Sequence, residues 1–241
     1  MTRILICFLS ILPFTGVSQT TDNIDPVAIS LIDKMGEVIG GMEAISFHLR
    51  SVNDDRNQLG LMERTFTAHE VYFRGPDRMA VYNSGDKGST GYWYNGEYIT
   101  WYSFDENNYV TLPAPESIIK TIDSVNSKFG MEFPAADLFY PSFGDDLLEY
   151  FGNVTYMGIK NVEGVACHHI IAETKTDNFQ IWIENGAFYL PKKFLFIKKG
   201  DSPSVVEGTF ENWDTNPQLP DEIFEFNPPA NADLISIMPK N

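Results

Sequence analysis

Residues 92–104 read YWYNGEYITWYSF, and seven of these thirteen residues are aromatic. The Asn95-Gly96 pair is typical of a two-residue turn in a β-hairpin. Such a turn places Tyr94 opposite Glu97. Side chains alternate between the two faces of a strand, so the rings divide between both faces of the predicted sheet. One face carries Trp93, Tyr98, Thr100 and Tyr102, and the other carries Tyr92, Tyr94, Ile99 and Trp101.

Apolar residues on both faces of the hairpin indicate that the sheet is covered on both sides. A sheet with one solvated side would alternate apolar and polar residues. In KKFLFIKK (192–199), Phe194 and Phe196 likewise share one face, and apolar residues alternate with them on the other. Helices can cover such a face, and a curled sheet around a cavity also needs an apolar lining. Ordinary core is the commoner role of apolar stripes, so periodicity alone favours core over a ligand lining and leaves the lining as the alternative.

The chain opens with a helix and continues with strands. Asp25 suits a helix N-cap and Pro26 suits the first helical position. With Gly40-Gly41 as the C-terminal end, we predict a helix over 26–39. The apolar period then changes to two, which is typical of half-buried strands. Strands are predicted over 44–53, 60–74, 78–83, 89–95, 98–104, 107–112, 153–160, 164–174, 178–184, 188–199, 204–213 and 222–226.

A helical zone separates the two sets of strands. Apolar residues at helical spacing within 118–129, 133–140 and 144–151 predict three further helices. The fold class is therefore mainly β (α+β), with one antiparallel sheet of about ten strands and a helical insertion. Open sheets of this size tend to curl.

The first eighteen residues have the order of a secretory signal peptide. Arg3 precedes the apolar run 4–14, and small residues precede Gln19. We expect cleavage there, a single domain over 19–241 and disorder at 20–24. Cleavage would leave Cys167 as the only cysteine, so the mature chain would contain no internal disulfide.

The net charge of the chain limits the classes of molecule that it can bind. The formal net charge is −16 and the pI is near 4.5. This acidity argues against a nucleic-acid partner, which requires a basic surface. It also disfavours electrostatic docking on anionic membranes. After the signal peptide no segment is long and apolar enough for a transmembrane helix, so we expect no membrane span.

The run Cys167-His168-His169 is the most reactive-looking cluster. In a strand, Cys167 and His169 share a face but lie about 6–7 Å apart, which is long for a nucleophile–base hydrogen bond. Too few ligands are present for a zinc site. We therefore expect no catalytic residue, no metal ion and no cofactor, and a structural role for Cys167.

Four segments carry a family resemblance: FPAADLFY (133–140), GVACHHI (164–170), FQIWIENGAFYLPKKFLF (179–196) and FEFNPPANADLI (224–235). They resemble a family of predicted periplasmic proteins that is similar to the LolA/LolB-like lipoprotein-carrier superfamily, which includes RseB-type and LppX-type proteins. The resemblance implies an unclosed antiparallel β-barrel, a half-barrel, in which helices plug a hydrophobic cavity. It also implies a periplasmic location.

The resemblance also implies a class of ligand. We expect a binding protein, not an enzyme, for a hydrophobic small molecule, a lipid or a lipoprotein, which acts as carrier, chaperone or sensor. The alternatives are an RseB-like regulatory module that contacts an envelope protein and, further behind, an enzyme that uses Cys167 and His169. For the cavity lining we favour the hairpin face without a charged residue, together with one face of 192–199. The predicted lining residues are Trp93, Tyr98, Tyr102, Phe194 and Phe196.

Overall fold

The computed structural model of the protein describes residues 23–201 and 203–240, so the predicted signal peptide lies outside the described residues. Within them, thirteen strands form one sheet. The strands are β1 (Asn23–Ile24), β2 (Ala44–Arg56), β3 (Met62–Arg74), β4 (Arg78–Gly85), β5 (Gly88–Tyr94), β6 (Tyr98–Ser103), β7 (Asn108–Pro113), β8 (Asn153–Val162), β9 (Val165–Glu173), β10 (Asp177–Glu184), β11 (Pro191–Lys198), β12 (Ser204–Asp214) and β13 (Asp233–Leu234). The α-helices are α1 (Pro26–Gly40), α2 (Ile118–Phe129) and α3 (Phe143–Tyr150), and Ala136–Phe139 and Asp221–Phe224 form 3₁₀ turns.

The sheet consists of two antiparallel meanders joined side by side. Its strand order is β1-β8-β9-β10-β11-β12-β2-β3-β4-β5-β6-β7-β13, so β12 pairs with β2 in the middle. Two strands of two residues form the edges of the sheet. At one edge β1 pairs in parallel with β8, and at the other β13 pairs in parallel with β7. Because β1 and β13 do not meet, the sheet stays open. The prediction of a mainly β, unclosed antiparallel architecture with helices is confirmed.

The connections between the meanders cover one face of the sheet, which we call the inner face. The chain enters α1 at the β1 edge, where the Asp25 carboxylate accepts a hydrogen bond of 2.8 Å from the Val27 N–H and caps the helix. The segment with α2 and α3 runs from β7 to β8, which lie near opposite edges. Apolar side chains buried from these helices include Leu31, Ile32, Met35, Ile122, Val125 and Leu147. Each fully buried side chain of this size contributes about 1.5–3 kcal/mol.

Aromatic rings from the loop before α3 fill the inner face over β2 to β5. The ring of Phe139 stacks on that of Phe47, with centroids 5.3 Å apart, and meets Phe73 edge-on at 5.7 Å. The ring of Phe133 is tilted against that of Tyr92, with centroids 4.7 Å apart. This half of the inner face is therefore a packed core.

The C-terminal segment, residues 215–240, places residues 219–232 over the outer face of the first meander. Trp93 and Tyr102 lie there beneath Phe226, whose ring centroid is 5.0 Å from Trp93 and 5.4 Å from Tyr102. A Cβ atom at Gly91 would lie 2.3 Å from the Trp93 ring, so only glycine lets the indole lie flat along the strand. Most apolar residues of the hairpin are thus covered on both faces, while Tyr98 and Phe104 are exposed.

The hairpin at 92–104 has a different register from the predicted one. Tyr94 lies opposite Ile99, and the Asn95 N–H donates to the Tyr98 carbonyl at 3.2 Å, so Gly96-Glu97 forms the two-residue turn. The Asn95 side chain accepts hydrogen bonds from the N–H groups of Glu97 and Tyr98, which favours this turn. The register shift is two residues. The predicted division of the rings between the faces is therefore unchanged.

Other element predictions were wrong at the edges of the sheet. The predicted strand 222–226 lies across the outer face, where it has no strand to pair with, and Asp221–Phe224 is a 3₁₀ turn. Asn23–Ile24, expected to be disordered, pairs with β8, and the Asn23 N–H donates to the Gly152 carbonyl at 3.0 Å. Eleven of the twelve predicted strand segments correspond to β2 to β12, whereas β1 and β13 were missed because strands of two residues are too short to show a period.

Replacement of Trp93 by alanine tests the packing of the outer face. Trp93 is buried under the C-terminal segment, so we expect Trp93→Ala to lower the free energy of unfolding by about 3–5 kcal/mol in urea titrations. Tyr98→Ala is the control on the same face, because 42% of Tyr98 is exposed, and we expect it to cost less than about 1 kcal/mol. Equal losses in the two variants would contradict this packing.

Candidate functional site

An apolar cavity of ≈ 390 Å³ lies between β10 to β12 and the helical insertion. The sheet contributes Phe179, Phe194, Phe196 and Val206, and the insertion contributes side chains from residues 135–151. The apolar lining from the insertion is Ala135, Leu138, Phe143, Leu147 and Phe151. The volume of the cavity falls within the range of small-molecule sites, about 300–1,000 Å³. We call this space the apolar cavity.

A second space, the polar groove, adjoins the apolar cavity. It has a volume of ≈ 1050 Å³ and lies between α2, the loop before α3 and the ends of β2 and β12. The two spaces share Ala135, Asp137, Tyr140 and Val206 in their linings. An elongated molecule can therefore place an apolar end in the cavity and a polar end in the groove.

Carboxylates border the junction of the cavity and the groove. Asp137 lies in both linings, Asp146 in that of the cavity and Asp123 in that of the groove. Partial removal from water raises the pKa of Asp137, and the neighbouring charges of Asp123 and Asp146 raise it further. The Tyr140 hydroxyl donates to Asp123 at 2.7 Å. Among the described residues, none of the ion pairs involves these three carboxylates.

The structure separates the five residues predicted to line a site. Phe194 and Phe196 both line the apolar cavity. Trp93 and Tyr102 lie on the outer face beneath the C-terminal segment, and Tyr98 is exposed. Strand alternation shows which residues share a face but not which face the helices cover. As ligand contacts, all five remain a prediction.

Sequence reasoning missed the part of the cavity that the helices provide. Phe143 and Leu147 are four residues apart on α3, and this spacing gives a helix an apolar stripe. The helix was predicted over 144–151, which includes Leu147 but not Phe143, and its partner on the sheet was not recognised. Phe179 lay in a predicted strand, and as an alternate residue it shares the inner face with Ile181 and Ile183. The role of Gly208 was not predicted either. A Cβ atom at this position would lie 2.1 Å from the Phe194 ring, so the absence of a side chain makes room for that ring.

Cys167 and His169 do not form a nucleophile–base pair. Cys167 is fully buried, and burial raises the pKa of its thiol to about 11, so the thiolate is disfavoured at neutral pH. His169 lies 3.0 Å from Gln180 through Nε2 and stacks on the Trp182 ring at 4.4 Å. This arrangement supports the predicted structural role of Cys167.

A buried serine, histidine and asparagine form a chain of hydrogen bonds on the inner face. The Ser51 hydroxyl lies 2.8 Å from His69 Nε2, and His69 Nδ1 lies 2.7 Å from Oδ1 of the Asn83 side chain. These contacts resemble those of a catalytic triad. Only 2% of Ser51 is exposed, however, so the hydroxyl is closed to a substrate. The chain ties together β2, β3 and β4.

Two further features of the described residues bear on function. No group of three His, Cys, Asp or Glu side chains within them is placed to hold a metal ion. In residues 23–201 and 203–240, no helix has the length and apolar character needed to cross a membrane.

A known protein family matches residues 28–238, nearly the whole described chain. The family is described as predicted periplasmic protein (DUF2092). The chain belongs to this family. The resemblance noted in the sequence and the periplasmic location are thereby confirmed. No curated protein matches the chain in sequence.

The chain is also similar to solved structures at low sequence identity. The Mycobacterium tuberculosis lipoprotein LppX has a TM-score of 0.50 and 15% identity, over 81% of this chain and 98% of LppX. MucB has a TM-score of 0.49 and 13% identity, over 84% of this chain and 64% of MucB. The LolA superfamily protein NE2245 from Nitrosomonas europaea has a TM-score of 0.39 and 8% identity, over 83% of this chain and 97% of that protein. At such identities, the likeness to LppX extends to the fold alone.

The buried histidine gives a testable dependence of stability on pH. Burial lowers the pKa of His69, although its hydrogen bond to Asn83 opposes this effect. Below the ordinary histidine pKa of about 6.5, the unfolded chain therefore binds a proton that folded His69 does not, and the folded state loses stability as the pH falls. We expect the melting temperature to fall between about pH 7 and 5.5, and His69→Gln to reduce that fall.

The control for this measurement is His48→Gln, which changes an exposed ring on the neighbouring strand β2. The pKa values of His168 and His169 are also lowered by burial, so His69→Gln should leave part of the wild-type dependence. A His69→Gln variant whose melting temperature falls with pH as steeply as that of the wild type would contradict the assignment.

Proposed function

We propose that the protein binds the apolar part of a lipid or of a lipidated protein in the apolar cavity. The observation that carries this proposal is the cavity of ≈ 390 Å³ lined by Phe143, Phe179 and Phe194. Protein interiors are close-packed, and an empty apolar space forfeits dispersion contacts with every atom that lines it. A cavity of this size between a helical insertion and a sheet is therefore better explained as a binding site than as a packing defect.

The position of the cavity supports binding and release. It lies next to α3, a helix of eight residues, and Tyr150 of that helix is exposed. The Tyr150 hydroxyl donates to Asp177 at 2.8 Å and so ties the helix to the start of β10. A ligand can reach the cavity through the polar groove or by displacement of this short helix. Short, partly exposed elements open at low cost in free energy.

The proposed role is that of a carrier, chaperone or sensor in the periplasm. The family places the protein in that compartment, and its fold is similar to that of the lipoprotein LppX. Periplasmic transport of a molecule with a long apolar chain requires that the chain be shielded from water, since each exposed CH₂ costs about 0.8 kcal/mol. An RseB-like regulatory role stays a prediction. We propose binding without catalysis.

Adjacent valines on β12 provide a matched test. Val206 lines the apolar cavity, whereas Val205 points to the opposite face of the same strand. The phenyl ring in Val206→Phe would occupy cavity space, so its cost in stability should stay below the about 1–3 kcal/mol of overpacking in a filled core. We expect the wild type and Val205→Phe to bind the neutral apolar fluorophore N-phenyl-1-naphthylamine saturably, and Val206→Phe to bind it about tenfold more weakly, a loss of about 1.4 kcal/mol.

Thermal melts of the three proteins accompany the titrations and show whether each is folded. A folded wild type that binds no fluorophore would refute the proposal. Equal affinities of Val205→Phe and Val206→Phe would refute the placement of the ligand in this cavity.

A further inference from the structure

The charges around the two joined spaces are predominantly negative. Taken together, the linings contain five carboxylates and two lysines. The carboxylates are Asp55, Asp123, Glu132, Asp137 and Asp146, and the lysines are Lys87 and Lys120. Lys120 is already paired with Glu116, and Lys87 lies in the turn between β4 and β5. A ligand's polar end therefore meets an excess of negative charge.

The apolar cavity itself carries only one sign of charge among its described lining residues. Asp137 and Asp146 are its charged groups, and no lysine or arginine lines it. The mutual repulsion and desolvation already described for Asp137 would be relieved by a cation and increased by an anion. An anionic head group at this place would be repelled by both carboxylates.

Aromatic rings accompany these carboxylates. Tyr140, Phe143 and Tyr150 belong to the same lining as Asp137 and Asp146. The faces of aromatic rings attract ammonium groups, and such attraction is strongest where water is partly excluded. The combination of carboxylates and rings at the border of an apolar space suits an ammonium group attached to an apolar chain.

We propose that the site selects amphiphiles whose head group carries a positive charge, with the apolar chain in the cavity and the head group beside Asp137 and Asp146. This inference rests on the proposed function, since it requires that the cavity bind an apolar chain. It goes beyond that function because it assigns the chemical class of the head group. Fatty acids and other anionic amphiphiles are then poor ligands.

Three probes with chains of twelve carbons test the selection: dodecyltrimethylammonium, dodecyl maltoside and dodecanoate. Each displaces N-phenyl-1-naphthylamine from the full mature chain at neutral pH and low salt, below its micelle concentration. We expect the cation to bind most tightly, the neutral sugar next and the carboxylate most weakly, with about tenfold between cation and carboxylate. Added salt should reduce the difference, because it screens charges near the surface.

The double variant Asp137→Asn with Asp146→Asn removes the two charges and keeps the side-chain shapes. We expect it to bind the cation and the carboxylate with affinities within about threefold of each other. The control is Asp145→Asn with Glu149→Gln, which changes the net charge equally at α3 residues outside the cavity lining. The control should retain the wild-type preference, which separates the local carboxylates from the overall acidity of the chain.

The outcomes distinguish this inference from the proposed function. If the wild type binds no probe and no fluorophore, the proposed function fails. If all three probes bind with equal affinity, or dodecanoate binds most tightly, the cavity binds amphiphiles but the head-group selection is wrong. If the two double variants change the preference equally, the preference comes from net charge and the assignment to Asp137 and Asp146 is wrong.

Discussion

The pairing of β2 with β12 is the contact on which the rest of the structure depends. Glu211 lies opposite His48 and Val205 opposite Asp54, so residues about 150 positions apart in sequence form a continuous ladder. This ladder joins two meanders into one sheet and leaves β7 and β8 near opposite edges. The segment between β7 and β8 must then cross a face of the sheet, and it carries the helices that form the roof of the apolar cavity.

The cavity arises because this roof fills one half of the inner face and not the other. Phe133 and Phe139 pack tightly over β2 to β5, where only ≈ 30 Å³ of space remains beside them. Over β10 to β12, α3 stands away from the sheet and leaves ≈ 390 Å³. Gly208 lets the Phe194 ring lie close to β12, which keeps that ring in the wall. A packed core and the apolar cavity thus divide the same face between them.

The fold could be predicted from the sequence because its elements obey local rules. The cap at Asp25, the change of apolar period from helical to two, and the helical stripe of 118–129 all correspond to observed elements. Two local predictions, the turn at Asn95-Gly96 and the strand 222–226, were wrong, and the remaining errors were non-local. The sequence does not show which face of a sheet a distant helix covers, so Trp93 and Phe194 were placed in one lining although they lie on different faces.

The candidate site could be predicted only in part for the same reason. Strand alternation placed Phe194 and Phe196 together on one side of β11, and both line the apolar cavity. The acidic residues at the mouth come from α3 and from the 3₁₀ turn before it, and such residues are usually solvated surface. The fold brings them into one lining with Val206 and Phe179, and the role proposed for them rests on that placement.

The most direct test of the account is the position of a bound chain. A crystal of the mature protein grown with a twelve-carbon trimethylammonium amphiphile, brominated at the chain end, would show the bromine by its anomalous scattering. The account predicts one anomalous peak within the apolar cavity, between Phe143 on α3 and Phe179 and Phe194 on the sheet. A peak on the outer face beside Trp93 and Tyr102, with the apolar cavity empty, would contradict it.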